Sequence, residues 1–254
     1  MVPEIPNRTT IVTGGSRGLG ASIARAFHAA GDHVVIAARN DTGLARELGV
    51  RARFVPTDVR DPEALRATIA EAKAWTSRLD VLINNAGYSA WRPLAEIDEA
   101  FWDEMIGTNL KSVLFASQAA AAVMGRGAAI VNISSLAGKR GSANNSVYCA
   151  SKFGVNGITQ SLAKELGPRG IRVNAVCPVY VRTAGLEEAL AEPHSPAAGR
   201  DPSTYLSEFA ASQAALGVLP TDEQVAQVCL FLASPAAGAI TAQCVNVDCG
   251  VLPQ

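Results

Sequence analysis

The sequence is defined first by what it lacks. Among its 254 residues, no apolar run approaches the roughly 20 residues that a membrane-spanning helix needs. The 22 lysines and arginines are balanced by 23 aspartates and glutamates, so there is no basic excess of the kind that attracts nucleic acids or anionic membrane surfaces. We therefore expect neither a membrane nor a nucleic acid as a partner.

Paired cysteines are also missing. The five cysteines are scattered and odd in number, and none forms a Cys-x-x-Cys pair. Zinc binding and thioredoxin-type chemistry rely on such pairs, so we expect neither and predict no metal site. The N-terminus shows no signal-peptide apolar core. We therefore expect a soluble, cytoplasmic protein whose cysteines are small buried thiols.

Short apolar, β-branched runs alternate with longer helical patterns along the chain. Continuously apolar runs suit parallel strands that are covered on both faces. The alternation predicts an α/β fold in which helices cover both faces of a parallel sheet, and no linker or repeat divides residues 1–254 into more than one domain. The predicted strands are Thr9–Thr13, His33–Ala37, Arg53–Pro56, Val81–Asn84, Ala129–Ile133, Ile171–Val176 and Cys244–Val247.

Two of the helical patterns carry end signals. Ala21–Ala30 has one apolar stripe and is followed by Gly31, which suits a helix C-terminus. Pro62–Trp75 is preceded by Asp61, a good N-cap residue, and Pro62 fits the first helical position. Both patterns predict helices that connect consecutive strands.

One segment interrupts the alternation. Residues 183–219 contain three prolines and only two short helical patterns, Leu186–Ala191 and Ser203–Leu216. In the second pattern, Leu206, Phe209, Gln213 and Leu216 are spaced for one helix face. An extension of this length inside a domain is typical of an active-site lid, which we predict, with a purely structural excursion as the alternative.

A glycine-rich turn follows the first predicted strand. It reads Thr13-Gly-Gly-Ser-Arg-Gly-Leu-Gly20 and leads directly into a helix. Glycines allow a tight turn and a close approach of the backbone to a pyrophosphate, which a helix N-terminus then favours. The spacing, Gly-x-x-x-Gly-x-Gly, differs from the commoner dinucleotide spacing. In this strand–turn–helix setting it predicts a dinucleotide cofactor.

The end of the second strand indicates which dinucleotide. A carboxylate at this place would bind the ribose 2′-hydroxyl and repel a 2′-phosphate. Ala38 stands there, and Arg39 follows it, while Arg17 of the glycine loop is a second cation within reach. Guanidinium groups match a phosphate in charge and geometry. NADP(H) is therefore favoured, although the nearby Asp41 keeps NAD(H) open.

Tyr148 and Lys152 are spaced by four residues. If the stretch is helical, both side chains lie on one face. An ammonium beside a phenol stabilises the phenolate and lowers the tyrosine pKa below its usual value of about 10. The pair therefore predicts a proton donor and acceptor, although such spacings are common on solvated helix faces.

Taken together, the motifs resemble those of the classical short-chain dehydrogenase/reductase family. The resemblance covers nearly the whole chain, and only the conjunction of the motifs is specific. They are Thr13-Gly14-x-x-x-Gly18-x-Gly20, Asp58-Val59, Asn84-Asn85-Ala86-Gly87, Asn109, Ser135 and Tyr148-x-x-x-Lys152. The resemblance implies a Rossmann-type, doubly wound domain with about seven parallel strands in the order 3-2-1-4-5-6-7.

The resemblance also implies a role for each catalytic position. Ser135 would hydrogen-bond the substrate oxygen and Tyr148 would transfer the proton. Lys152 would lower the tyrosine pKa and hold the nicotinamide ribose, and Asn109, within the helical stretch Phe101–Met124, would hold a water that connects Lys152 to solvent. The reaction implied is hydride transfer between the nicotinamide and a carbonyl carbon, with Ser135 and Tyr148 stabilising the charge on the carbonyl oxygen.

The cofactor site follows from the motifs and the resemblance together. Asp58 would receive the adenine amino group, Val59 would pack beside the ring, and the backbone after the sixth strand would bind the carboxamide and diphosphate. The candidate cofactor-binding residues are Gly14, Ser16, Arg17, Gly18, Leu19, Arg39, Asp58, Val59, Asn85, Ala86, Gly87, Tyr148, Lys152, Pro178, Val181 and Thr183.

The chain departs from the family pattern at two places. Pro178-Val179 stands where the family has Pro-Gly, and a valine disfavours positive φ and adds bulk to the pocket floor. We expect an altered substrate pocket with catalysis intact. Asp248-Cys249-Gly250 replaces the usual Asp-Gly-Gly. That segment lies near subunit contacts in relatives, so the geometry of any oligomer is open.

The substrate is less well specified than the reaction. We expect a compact, oxygenated molecule such as a polyol, a sugar derivative or a cyclic ketone. Arg92, Arg140 and Arg200 could bind an anionic group, although solvated surface arginines are the simpler interpretation. The candidate pocket residues are Ser89, Trp91, Arg92, Leu136, Ala137, Asn144, Asn145, Val179, Tyr180, Leu186, His194 and Tyr205.

Several functions fit these motifs. The favoured one is an NADP(H)-dependent oxidoreductase for a ketone or secondary alcohol. Alternatives are an NAD-dependent sugar or polyol dehydrogenase and a 3-oxoacyl-carrier-protein reductase. A non-catalytic dinucleotide sensor would be expected to lose Ser135, Tyr148 or Lys152. The resemblance implies a homotetramer, or otherwise a dimer, with Phe101–Met124 and Ser151–Gly167 packed between subunits.

Overall fold

Seven parallel strands form one sheet in the computed structural model, which describes residues 8–253. Their order is β3-β2-β1-β4-β5-β6-β7, as the family resemblance implied. The N-terminal segment, where no signal peptide was predicted, lies almost wholly outside the described residues. The strands are β1 (Thr9–Thr13), β2 (His33–Ala38), β3 (Ala52–Pro56), β4 (Val81–Asn84), β5 (Ala129–Ile133), β6 (Arg172–Pro178) and β7 (Cys244–Val247).

The sheet is covered on both faces because its strands carry apolar side chains in both directions. Ile11 belongs to a core cluster on one face, together with Val35 and Leu82 of the neighbouring strands. Val12, the next residue, belongs to the cluster on the other face. Successive strand residues point to opposite faces, so the continuously apolar runs fill two cores. The prediction of a doubly wound parallel sheet is confirmed.

Nine α-helices connect or flank the strands within residues 8–253. The helices alternate with the strands along the chain, as predicted. The last helix before β7 is α9, which packs on α1. The helices are α1 (Gly18–Ala29), α2 (Leu44–Leu48), α3 (Pro62–Thr76), α4 (Glu99–Ile106), α5 (Ser112–Ala121), α6 (Ser146–Leu166), α7 (Ala184–Leu190), α8 (Pro202–Gln213) and α9 (Asp222–Leu232).

Some predicted helix limits are confirmed and others are wrong. The Asp61 side chain accepts a hydrogen bond from the Glu63 backbone N–H at 2.9 Å, so the predicted N-cap of α3 is confirmed. The stretch predicted over Phe101–Met124 begins at Glu99 and includes a π-helical turn, Gly107–Lys111, before α5. The helix that was predicted to begin at Ser151 begins at Ser146, more than one helical turn earlier.

The segment 183–219 folds into α7 and α8 with a turn between them. Leu206 is fully buried, in a cluster with Trp91 and Leu190. The second helical pattern was too long, because α8 ends at Gln213 and Leu216 lies beyond it, 72% exposed. That this segment acts as a lid stays a prediction.

The cysteines divide into two groups. All five are free, and Cys149, Cys177 and Cys229 are buried as predicted. Cys244 and Cys249 are only half-buried, which the prediction of buried thiols missed. Within residues 8–253, no helix combines the length and the apolarity needed to cross a membrane.

Candidate active site

A cavity of about 1000 Å³ opens at the carboxyl ends of the strands. It spans the place where the strand order reverses between β1 and β4, which is the usual ligand site of an open parallel sheet. Every predicted cofactor-binding residue lines this cavity, and so do Ser135, Tyr148 and Lys152. Folding therefore brings together residues that are up to 169 positions apart, from Gly14 to Thr183.

The glycine-rich turn has no room for side chains at two of its glycines. Gly14 has a φ of +63°, and a Cβ there would lie 2.9 Å from the Cα of Ala86. A Cβ on Gly20 would overlap the Gly14 carbonyl oxygen. The Asn85 Nδ2 donates to the carbonyl oxygens of Thr13 and Gly14, at 3.0 and 3.2 Å. The turn is thus held against β4 and leaves its outer side open.

The adenosine end of the predicted site is occupied by charged side chains. Asp58 accepts hydrogen bonds from the Arg60 guanidinium, the shortest at 2.6 Å, and this contact is the main reason why the pKa of Asp58 is lowered. Arg60 also lines the cavity and was missed in the sequence, although it directly follows the Asp58-Val59 motif. The carboxylate that we expected to meet the adenine therefore already has a protein partner.

Arg17 and Arg39 differ from Arg60 in having no carboxylate within 4.0 Å among the described residues. Both are exposed and line the cavity. Asp41, which kept NAD(H) open, accepts a hydrogen bond from the Gly43 N–H at 2.8 Å and does not line the cavity. The charge at this end of the cavity is therefore suited to an anion.

Tyr148 and Lys152 both lie in α6, so the condition under which they share one helix face is met. The Lys152 Nζ donates to the Ile133 carbonyl oxygen at the end of β5, at 2.8 Å, and lies 5.7 Å from the centre of the Tyr148 ring. Ser135 follows β5 in an extended conformation, and its Oγ accepts from the Ala137 N–H at 3.1 Å. The end of β5 and the first turns of α6 thus set these three side chains beside one another.

Burial dominates the protonation of this pair. It raises the pKa of Tyr148 to about 12, and a hydrogen bond with Ser135 opposes only part of that rise. It lowers the pKa of Lys152 to about 8. The expectation that Lys152 depresses the tyrosine pKa is therefore wrong for the protein alone. The reason is that desolvation disfavours both charged forms, while the ammonium is directed at the Ile133 carbonyl.

Asn109 lies in the π-helical turn and is buried behind the cavity wall. Its Oδ1 accepts from the Tyr88 N–H at 3.1 Å, and its Nδ2 donates to the Tyr88 carbonyl oxygen at 2.8 Å. A Cβ on Gly87 would lie 3.1 Å from the Asn109 Oδ1 and 3.7 Å from the Lys152 Nζ. Gly87 thus keeps a gap between the two side chains. The water-holding role of Asn109 stays a prediction.

The substrate end of the cavity contains most, but not all, of the predicted pocket residues. Arg92 is stacked over Phe101, and the His194 Nε2 lies 3.1 Å from a Glu96 carboxylate oxygen, so neither lines the cavity. Asn144, Tyr205 and Arg200 are outside it as well, while Arg140 is part of it. Those that do line it are Ser89, Trp91, Leu136, Ala137, Asn145, Val179, Tyr180 and Leu186.

Several lining residues were missed from the sequence. Glu188 and Glu192 come from α7 and the turn after it, and Phe209 comes from α8. No local motif identifies them, because they reach the cavity only through the way the segment packs on the sheet. Among the missed residues are Thr42, Thr57, Arg60, Tyr88, Glu104, Thr108, Ser134, Ser142, Glu188, Glu192 and Phe209.

The backbone of Val179 does not adopt the positive φ that a glycine at this position would allow. This agrees with the expectation that a β-branched side chain disfavours a positive φ. Val179 packs against the cluster of Leu136, Ala214 and Val251, which joins the pocket floor to the C-terminal segment. Cys249 does adopt a positive φ, 53°, at the position where the family has glycine.

No group of three or more His, Cys, Asp or Glu side chains within residues 8–253 is placed to hold a metal ion.

The profile of a family described as enoyl-(acyl carrier protein) reductase matches residues 14–252. A short-chain reductase protein of Streptomyces niveus is 36% identical over 248 residues, which are 94% of this chain and 92% of that protein. A 3-oxoacyl-(acyl-carrier-protein) reductase of Chlamydia trachomatis is 34% identical over 254 residues, covering 96% and 97%.

The fold has close relatives among solved structures. A short-chain dehydrogenase/reductase of Brucella melitensis, described as a glucose/ribitol dehydrogenase, superposes with a TM-score of 0.91 at 30% identity, over 100% of both chains. The strand order, the motifs and the length of these matches agree. The protein is an oxidoreductase that acts on an alcohol or a ketone, and it belongs to the classical short-chain dehydrogenase/reductase family.

Proposed function

We propose that the protein is an NADP(H)-dependent oxidoreductase that interconverts a ketone and a secondary alcohol. Ser135, Tyr148 and Lys152 act at the reacting oxygen, and Asn109 supports them from behind. The observation that carries this proposal is that Ser135, Tyr148 and Lys152 converge at one edge of the cavity. The other end of that cavity holds the glycine turn and two arginines that have no carboxylate partner among the described residues.

The cavity fits a dinucleotide by its shape and charge. Gly14 and Gly20 exclude side chains from the turn, and Gly18 begins α1, whose free N–H groups favour a phosphate. The turn residues from Gly14 to Leu19 would hold the diphosphate, Asp58 and Val59 the adenine, and Lys152 the nicotinamide ribose. When bound, the nicotinamide supplies or accepts the hydride.

The catalytic side chains divide the remaining work. The Ser135 and Tyr148 hydroxyls are positioned to donate hydrogen bonds to one carbonyl oxygen, where negative charge grows during reduction. The raised pKa keeps Tyr148 protonated at neutral pH, so it can give its proton to that oxygen. In the oxidation direction, the same phenol must lose its proton.

Cofactor choice rests on Arg17 and Arg39. The position after β2 carries no carboxylate, and within residues 8–253 neither guanidinium has a carboxylate within 4.0 Å; the charge of Arg39 does contribute to the lowered pKa of Asp58. Dissociation constants for NADP⁺ and NAD⁺ are measured by calorimetry in the native chain, in Arg39→Ser and in Arg46→Ser, an exposed control on α2 outside the cavity. We expect Arg39→Ser to weaken NADP⁺ binding by about tenfold and to leave NAD⁺ binding unchanged.

The same measurements would contradict the proposed cofactor choice if the native chain bound NAD⁺ about tenfold more tightly than NADP⁺. A tenfold difference in dissociation constant corresponds to about 1.4 kcal/mol of binding free energy. An equal loss in Arg46→Ser would show that only the net charge matters.

Two other reactions remain candidates because of the relatives. The similarity to a 3-oxoacyl-(acyl-carrier-protein) reductase of Chlamydia trachomatis supports a 3-oxoacyl thioester as the substrate. The similarity to a structure described as a glucose/ribitol dehydrogenase supports a sugar or polyol as the substrate. A spectrophotometric screen of ketones, polyols, sugars and a 3-oxoacyl thioester with both cofactors separates them. Absence of turnover with every compound would contradict an enzyme and favour the dinucleotide sensor.

Self-association is part of the proposal. Trp102 on α4, Leu114 on α5 and Phe153 on α6 are large apolar residues that are 44%, 41% and 49% exposed. They lie on the helices that the family resemblance places between subunits. We expect a homotetramer, or otherwise a dimer, by light scattering at micromolar concentration. A monomer would contradict this part of the proposal.

A further inference from the structure

One side of the cavity is apolar at its substrate end. Val179, Tyr180 and Phe209 line the cavity there and are only half-buried, so part of the surface of each residue is accessible. The first two follow β6 directly, and the third comes from α8. We refer to these three residues as the apolar wall.

Other apolar residues hold the apolar wall from behind. The rings of Tyr180 and Phe209 pack edge-on, with their centres 4.9 Å apart and their planes at 71°. Val179 and Phe209 both pack against the buried cluster that contains Leu136 and Val251. Phe209, the largest wholly apolar side chain of the wall, thus contacts both of its other parts. These contacts fix the wall in place, so its apolar surface stays in the cavity.

The apolar wall lies next to the reacting groups. Strands β5 and β6 are neighbours in the sheet, and Ser135 follows the end of the first while Val179 follows the end of the second. Burial raises the pKa of Tyr180, and the nearby Tyr148 contributes to the rise to a smaller extent. A ketone whose oxygen meets Ser135 and Tyr148 therefore has one of its two substituents near the wall.

The charged residues at the same end of the cavity are more accessible to water. Arg140 and Glu188 line the cavity and are exposed, and Glu192 is half-buried. Water and salt weaken the interactions of exposed charges. We therefore expect the apolar wall, and not these charges, to decide which substituent is accepted beside the carbonyl.

We propose that the apolar wall selects a ketone with an alkyl or aryl group beside the carbonyl, and that Phe209 is the main specificity-determining residue of this wall. Burying such a group against the wall removes apolar surface from water on both sides, which is favourable. This inference rests on the proposed oxidoreductase function and narrows its substrate.

The apolar wall offers little to a hydroxyl-rich substrate. Its single hydroxyl, that of Tyr180, already lies 3.4 Å from the hydroxyl of Tyr205. A substrate hydroxyl placed against Val179 or Phe209 would lose water without gaining a hydrogen bond, which is unfavourable. An alkyl ketone and the acyl chain of a 3-oxoacyl thioester therefore belong to the selected class, whereas a sugar or polyol does not.

The test compares two symmetrical ketones of nearly equal shape. In 1,3-dihydroxypropan-2-one, hydroxyls replace both terminal methyl groups of pentan-3-one, so the same group meets the wall in either orientation. We expect the native chain to favour pentan-3-one by at least about tenfold in kcat/KM. In Phe209→Ala, this ratio is expected to fall below about threefold. Comparing the ratio between variants cancels the difference in intrinsic reactivity of the two ketones.

Matched variants separate this role from a structural one. Phe209→Leu keeps an apolar side chain and is expected to retain the preference for pentan-3-one. Val179→Thr places a hydroxyl in the wall at almost the same volume, so it is expected to lower the ratio by about threefold or more. Phe231→Ala is the control, because Phe231 is also partly exposed, at 38%, but lies on α9 outside the cavity.

The outcomes distinguish the inference from the function on which it rests. A native preference for 1,3-dihydroxypropan-2-one, or an equal loss for both ketones in Phe209→Ala, would overturn the inference and leave the oxidoreductase function standing. A fall of the ratio in Phe231→Ala as large as in Phe209→Ala would do the same. No turnover of any carbonyl compound with either cofactor would overturn the function and the inference together.

Discussion

The floor of the cavity and the segment 183–219, which we predict to be a lid, are held in different ways. The floor is built from the ends of parallel strands and from α6, and its polar residues are buried, with Ser134, Asn109 and Lys152 only 3%, 1% and 5% exposed. The segment 183–219 is attached mainly by side chains. Tyr180 packs edge-on against Phe209 with ring centres 4.9 Å apart, and the Arg182 guanidinium donates to Ser203 and Ser207.

This difference separates the reaction from the substrate. The floor residues depend on one another through short hydrogen bonds and backbone contacts, so a change there is expected to affect catalysis or folding. The lid residues present exposed, mostly polar side chains on short helices, which tolerate change more easily. We therefore expect large effects from the floor and small effects from the lid, and the variants below test that contrast.

Tyr148→Phe on the floor should have the largest effect. The variant removes the proton donor, so kcat/KM for carbonyl reduction is expected to fall by about 10²- to 10⁴-fold. The melting temperature should stay within error, since no described side chain except Ser135 relies on the phenol. Steady-state kinetics and thermal unfolding measure both. Retention of full turnover would remove Tyr148 from the mechanism.

Glycine-to-alanine changes compare the stability of the two regions. A Cβ on Gly20 would overlap the Gly14 carbonyl oxygen, so Gly20→Ala is expected to lower the free energy of unfolding by about 1–3 kcal/mol. At Gly185 in α7, no atom lies within 4 Å of the place that a Cβ would take, so Gly185→Ala should raise it by about 0.5 kcal/mol. Denaturant titration measures both, and equal effects would contradict the contrast.

The titration of Lys152, a residue of the floor, should make the free energy of unfolding of the protein depend on pH. Its folded pKa is about 8, against 10.5 for the ordinary side chain. Between these values the unfolded chain binds the proton that the folded chain has lost, so the free energy of unfolding rises with pH in this range. Below pH 8 both states are protonated, and the cost of the buried ammonium is fully present.

Lys152→Met removes this dependence. The stability of the native chain relative to the variant is expected to increase by roughly 2 kcal/mol between pH 7 and pH 10. Denaturant titrations of both proteins across that range give the difference directly, and it cancels the contributions of the cysteines. Parallel curves would show that Lys152 keeps an ordinary pKa.

Tyr205→Phe in the lid should have the smallest effect. The hydroxyls of Tyr180 and Tyr205 are 3.4 Å apart, which is a long hydrogen bond, and the edge-on packing of the rings survives the change. We expect KM to change by less than about threefold and the free energy of unfolding by less than about 1 kcal/mol. A large fall in kcat would show that the lid takes part in the chemistry.

Much of the fold was predictable from local pattern. The limits of Thr9–Thr13, Val81–Asn84, Ala129–Ile133 and Cys244–Val247 agree with the structure to the residue. For the first three strands the reason is that a strand buried on both faces must be largely apolar, whereas the last is an edge strand that is only half-buried. The sixth strand was placed at Ile171–Val176 but runs from Arg172 to Pro178, because pairing with β7 extends it. Pairing partners are remote in sequence, and no local pattern reports them.

The sequence by itself determined the reaction class. Four-residue spacing in a helix places Tyr148 and Lys152 on one face, and a glycine-rich turn between a strand and a helix predicts a phosphate site. Only the tertiary structure decided which charged side chains are paired and which polar groups are buried away from water. It joined Arg60 to Asp58, raised the pKa of Tyr148 and left the Asn145 Oδ1 without a partner among residues 8–253. Desolvation and pairing depend on atoms from many distant segments, so spacing along the chain cannot report them.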